Sequence, residues 1–232
     1  MKNLLLTLTL FSLLPFAASA EKYWSDTSLT YLNGSRYEVG DTDRQVLTFE
    51  YVGGYSWGKI FSFADRLESY NGDTETYIEF SPELYLFEFK DNLVQNISLT
   101  TTSEIGDGFT HYLYGIGAAF EVPGFQYFEL DAYKRNNDSL PDNYQLTATW
   151  GLPFSIGDTK WLYDGFIDYA SGISTIGPAN LNFTSQLKWN IAPYFDLSAP
   201  LYVGIEYVYW RNKFYIDGLT EKNPNLLVKW HF

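Results

Sequence analysis

The chain ends on a stretch in which apolar and polar residues alternate without a break. In Leu226-Leu227-Val228-Lys229-Trp230-His231-Phe232 the even positions are all large and apolar, and two of the three odd ones are Lys229 and His231. A period of two marks a strand with one greasy face and one wet face. A water-soluble sandwich would have to cover Phe232 with something that follows it. A closed barrel in a bilayer has no such need, because its last strand pairs with its first and its outer face meets hydrocarbon.

The other end of the chain carries an address. Lys2, the apolar run Leu4 to Ala17 and the small residues Ala18-Ser19-Ala20 read as a secretory signal peptide, leaving 21–232 as one domain. That apolar run is too short for a membrane-spanning helix, and beyond it no run of about 18 apolar residues follows. Aromatic residues nonetheless make up 19% of the chain, with 20 Tyr, 18 Phe and 7 Trp. Outer-membrane barrels use such residues as girdles at both membrane interfaces. There is no cysteine, so disulfides are excluded despite the exported address. The net charge of −13 disfavours nucleic acid as a partner and would repel anions from a pore.

Twelve strand-like runs separated by turn chemistry are expected near 24–33, 43–53, 57–66, 76–89, 95–103, 110–122, 126–135, 143–154, 160–170, 181–191, 201–212 and 224–232. Loops after odd-numbered runs are expected to be long and polar, and those after even-numbered runs tight. The stretch Ile191 to Pro200 breaks that alternation. Parity assigns the faces. Ile78, Phe80, Pro82, Leu84 and Leu86 oppose Tyr77, Glu79, Ser81, Glu83 and Tyr85, and Leu201, Val203, Ile205, Tyr207 and Tyr209 oppose Gly204, Glu206 and Trp210. The expected fold is therefore an all-β, twelve-stranded antiparallel transmembrane barrel with lipid outside and water inside.

On this parity the lumen carries Glu50, Asp65, Glu79, Glu83, Glu129, Asp131, Asp164, Asp168 and Glu206 against Lys59, Lys188, Lys229 and Arg135. Such a wall favours neutral or cationic solutes. Inward aromatics stand among them: Phe61 and Phe63 beside Asp65, with Tyr77, Tyr85, Tyr127, Tyr133, Phe166 and Trp210. Flat side chains in a wet channel can stack planar solutes, and carboxylates can accept charge-assisted hydrogen bonds from hydroxyls or amines. The alternative use of Phe61 and Phe63 is packing against a folded-in loop. His111 and His231 fall at opposite ends of the barrel and cannot share a catalytic site, so no enzyme is expected. The acidic turn residues Asp73, Asp107 and Asp217 form no calcium-loop pattern, and no cofactor or metal is expected.

Several pieces resemble the nucleoside-specific channel (Tsx) and the related OmpK phage-receptor proteins of Gram-negative outer membranes. They are Trp57-Gly58 with Phe61-x-Phe63-x-Asp65, Tyr77-Ile78-Glu79-Phe80-Ser81-Pro82, Gly165-Phe166-Ile167-Asp168, and Gly204-Ile205-Glu206-Tyr207-x-Tyr209-Trp210-x-Asn212-Lys213-Phe214, followed by the terminal Phe232. The resemblance implies a monomeric barrel that passes nucleosides by facilitated diffusion. Its loops would serve phages or colicins, and its surroundings would be outer-membrane lipid and lipopolysaccharide. A last strand ending in an aromatic also resembles the signal read by the barrel-assembly machinery. Phe61, Phe63, Tyr77, Phe166 and Trp210 are the expected stacking residues. Asp65, Glu79, Glu83, Glu129, Asp131, Asp168 and Glu206 are the expected polar contacts. The competing readings are a nonspecific cation-preferring porin and a non-conducting receptor or adhesin barrel.

Overall fold

The computed structural model describes residues 20–232; the expected leader lies outside them apart from Ala20. The strands are β1 (Lys22–Gly34), β2 (Arg44–Tyr55), β3 (Gly58–Ser69), β4 (Thr74–Glu88), β5 (Val94–Gly106), β6 (Phe109–Phe120), β7 (Tyr127–Asn136), β8 (Asn143–Ile156), β9 (Thr159–Ala170), β10 (Asn180–Asn190), β11 (Leu201–Arg211) and β12 (Thr220–His231). Each strand is antiparallel to its sequence neighbours, and β12 returns to β1, so the sheet closes on itself. Closure runs in register from Ser28 opposite His231 to Gly34 opposite Asn225. The Phe232 amide adds one more bond, to the Thr27 carbonyl at 3.0 Å. Closure leaves the sheet no free edge, which hydrocarbon demands of any spanning sheet.

The two faces follow the sequence parity. Along β12, Glu221, Asn223, Asn225, Leu227 and Lys229 are buried, while Leu226, Val228 and Trp230 are exposed. Leu84, Leu99, Ile116, Leu130, Leu187 and Ile205 are likewise exposed on the outside. Polar groups therefore fill the interior and apolar ones face out, the reverse of a water-soluble protein. No described helix is long and apolar enough to cross a membrane; the crossing elements are strands.

Aromatic girdles flank the apolar band. At the end carrying the termini, Phe154, Trp161 and Trp189 stack in sequence at 6.3 and 6.0 Å, and Tyr194 meets Trp189 edge-on at 5.6 Å. Tyr112, Tyr144 and Tyr169 stand exposed toward the other end. The 191–200 segment thus has a use. Its single 3-10 turn, Ala192–Phe195, swings Tyr194 back onto the girdle.

The expected alternation of loop lengths holds in part: the connections 35–43, 137–142 and 212–219 after odd-numbered strands are long, and 56–57 and 157–158 after even-numbered strands are tight. The turn after β5, however, is only residues 107–108, and the longest connection, 191–200, follows an even-numbered strand. Strand ends also move by a few residues. β5 runs to Gly106 rather than 103, β6 starts at Phe109, and β12 begins at Thr220 rather than 224.

Candidate functional site: the lumen wall

The lumen wall is built from one side chain in two along every strand, so each functional group is fixed by its register position. β3 and β4 bring the first cluster together. Phe63 lies opposite Glu79, and Asp65 opposite Tyr77. The Phe61 and Phe63 rings are 5.9 Å apart, and Phe63 and Tyr77 5.8 Å. The row goes on to residues that sequence parity did not reach. Tyr77 is 6.5 Å from Phe109, which stacks on His111 at 4.7 Å. A Cβ on Gly106 would fall 2.4 Å from the Phe109 ring, so that glycine makes room for the ring to lie flat on the wall. These five rings form one continuous aromatic track from the loop end toward mid-lumen. They pack against one another, while the first loop folds in elsewhere.

The polar partners divide into two groups. One is committed to ion pairs across the wall. Lys59 on β3 donates to Glu129 on β7 at 2.6 Å and sits 3.0 Å from Glu83. Arg135 makes a bidentate pair with Glu104 at 2.8 and 2.6 Å and donates to Gln145. Lys188 pairs with Asp164 at 2.6 Å, and Lys229 with Glu50 at 2.7 Å. At the loop-end mouth Lys213 pairs with Glu221 at 2.6 Å, and Arg44 with Glu75 at 3.2 Å. Every inward cation named here is thereby neutralised.

The second group has no basic partner among the described residues. Asp65 accepts a hydrogen bond from Thr48 at 2.6 Å, Glu79 from Tyr77 at 2.6 Å, and Asp168 from Thr147 at 2.5 Å. Glu206 accepts from Gln186 at 2.8 Å and Asn225 at 3.0 Å. Asp131 leans over β6 at Gly117, where a Cβ would meet its Oδ1 at 2.1 Å. The lumen therefore carries more acidic than basic side chains, and its unpaired carboxyls are lined with hydroxyls and amides. That combination can accept hydrogen bonds from neutral or cationic solutes and opposes anions.

Of the expected contacts, Phe61, Phe63, Asp65, Tyr77 and Glu79 form one patch. Phe166 and Asp168 lie on β9, with Phe166 in register between Thr149 and Thr184. Glu83 and Glu129 share Lys59. Trp210 sits beneath the loop-end mouth, 4.8 Å from Lys213 Nζ and edge-on to Phe214 at 4.9 Å. Tyr133 is buried, its hydroxyl 2.9 Å from that of Thr100, and is a wall strut. The residues that parity missed, Glu104, Phe109 and Glu221, all lie beyond the strand ends expected from the sequence.

No protein-family model matches the chain, and no curated protein matches it. Solved structures do. The barrel superposes on the KdgM porin with a TM-score of 0.53 at 11% identity, covering 90% of this chain and 99% of that one. The same protein is also known in a structure described as the KdgM porin in complex with disordered oligogalacturonate. The NanC porin gives a TM-score of 0.54 at 10% identity, covering 89% of this chain and 99% of that one. At such identity the likeness is one of architecture. The chain has the twelve-stranded antiparallel transmembrane barrel of outer-membrane porins.

Proposed function

We propose that the chain is a passive outer-membrane channel for small, planar, polar solutes, nucleosides foremost, exported on its leader and working as a monomer without cofactor. The observation that carries this is the aromatic track through Phe61, Phe63 and Tyr77, laid along a wall of carboxylates that lack basic partners. A plain diffusion pore has no need of rings in water. A planar solute gains about 1–3 kcal/mol per stacked ring, while Asp65, Glu79 and Asp168 accept bonds from its hydroxyls or amines.

Its cargo differs from that named for KdgM. Oligogalacturonate is a chain of carboxylates, and this lumen, whose cations are each engaged by an acidic side chain, offers a polyanion no free basic partner among the described residues. The same acidic excess favours the second reading, a cation-preferring pore without a binding site. Surrounding lipid and lipopolysaccharide, insertion by the barrel-assembly machinery and phage docking on the loops belong to the same proposal.

Uptake of labelled adenosine into proteoliposomes separates the two readings. A selective channel gives saturable uptake that unlabelled adenosine competes away. Phe61→Ala combined with Phe63→Ala is expected to raise the half-saturating concentration at least about tenfold, the equivalent of 1.4 kcal/mol of lost stacking. An unaltered half-saturation in the double variant would discard the stacking role.

A further inference from the structure

The loop between β1 and β2, residues 35–43, turns into the mouth and docks on β12. The Arg36 amide donates to Asn223 Oδ1 at 3.1 Å and the Glu38 amide to Glu221 Oε2 at 3.0 Å. Between them, the Tyr37 hydroxyl donates to Asn225 Oδ1 at 3.2 Å. Glu221, Asn223 and Asn225 are 1%, 0% and 1% exposed, among the most enclosed side chains of the barrel.

The surroundings of Tyr37 are those of a bound aromatic ligand. Two cations lie against its ring, the Arg44 guanidinium carbon 5.2 Å and Lys213 Nζ 6.0 Å from the centroid. Lys213 is held in place by Glu221 and by the Trp210 ring. Behind the hydroxyl, Asn225 Nδ2 donates to Glu206, Gln186 donates to the other Glu206 oxygen, and Lys188 donates to Gln186 Oε1 at 3.0 Å. Burial first, and then the carboxylates of Glu206 and Glu221, push the hydroxyl well above the usual tyrosine range, which keeps it a donor. Cations against a ring and an amide–carboxylate relay behind its hydroxyl recognise a flat, hydroxyl-bearing solute. Here a side chain of the chain itself fills that place.

We propose that Tyr37 is the resident occupant of a second solute site at the loop-end mouth, formed by Arg44, Lys213, Trp210, Asn225 and Glu206. This deepens and rests on the channel reading: an uncharged planar solute with a hydroxyl or amide donor displaces Tyr37 on passing. The site differs in chemistry from the deeper track in the two cations that lie against its ring.

The side chain of tyrosine exists as a free molecule, p-cresol, and this supplies the test. In planar bilayers Tyr37→Ala is expected to conduct more than wild type. Added p-cresol should return the current saturably to the wild-type level. Toluene, which lacks the hydroxyl, should need at least about tenfold more, the worth of one hydrogen bond. An unchanged Tyr37→Ala conductance, or a raised one that p-cresol does not lower, overturns the proposal. If Tyr37→Ala does not assemble, Tyr37→Phe decides. Without the bond to Asn225, adenosine should block it more tightly than wild type, and equal block refutes resident occupancy. Failure of adenosine to block wild type would sink the nucleoside reading, whereas p-cresol rescue does not depend on it.

Discussion

Arg135→Ala is expected to destabilise the barrel by about 3–5 kcal/mol, the cost of leaving a buried charge without its partner. Arg135 is 8% exposed and spans from β7 to β5, its fork filled by Glu104 and Gln145. Removal strands the Glu104 carboxylate in the wall and leaves Gln145 without its donor. Replacing both partners, Arg135→Met with Glu104→Met, should recover most of the loss, because no orphan charge remains. The neighbouring pair Lys134–Asp142 is a control. Its side chains are 43% and 38% exposed, so Lys134→Ala should change stability by no more than about 1 kcal/mol. Urea titration of the refolded protein in detergent, read by tryptophan fluorescence, measures all three. An Arg135→Ala midpoint equal to that of Lys134→Ala would show that the pair is solvated by lumen water and does not brace the wall.

Ile205→Arg is expected to cost about 2–4 kcal/mol, the price of placing a cation at the bilayer midplane. Ile205 is 49% exposed near the middle of β11 and faces away from the lumen. Thr184→Arg provides the comparison, since Thr184 faces the lumen and hydrogen-bonds Asn182 at 3.0 Å. It should fold with nearly wild-type stability in lipid and make the pore less cation-preferring. Unfolding in lipid vesicles ranks the two variants, and equal tolerance of both would deny that hydrocarbon wets the outside.

The strand count, the faces and the ring pair Phe61–Phe63 were legible in the sequence, because an apolar stripe with period two exposes its own parity. Legibility stopped where that stripe stopped. Glu104, Phe109 and Glu221 were lost because β5, β6 and β12 extend past the ends that the alternation marks. Near those ends the outward positions turn polar or aromatic, as at Thr101 and Ser103 on β5, Thr110 and Tyr112 on β6 and Lys222 on β12, so alternation no longer marks the strand. The lumen's ion pairs obey the same limit. Lys59 meets Glu129 from 70 residues away, a juxtaposition set by barrel curvature and register and not by any local pattern. Least visible of all was the docking of residues 35–43, whose contacts reach Glu221, Asn223 and Asn225 across 183 to 188 positions. In sequence that stretch is an ordinary polar loop. The girdle role of 191–200 was hidden for a similar reason, since only the backbone turn at Ala192–Phe195 brings Tyr194 against Trp189.

The most direct measurement is the current through single refolded barrels in a planar bilayer while adenosine is titrated into the chamber. A wet lumen with an aromatic track should conduct cations over anions and show interruptions by adenosine that increase and then saturate, with Phe61→Ala and Phe63→Ala together moving that saturation to at least about tenfold higher adenosine. A barrel that stays non-conducting, or a current that millimolar adenosine never interrupts, would contradict it.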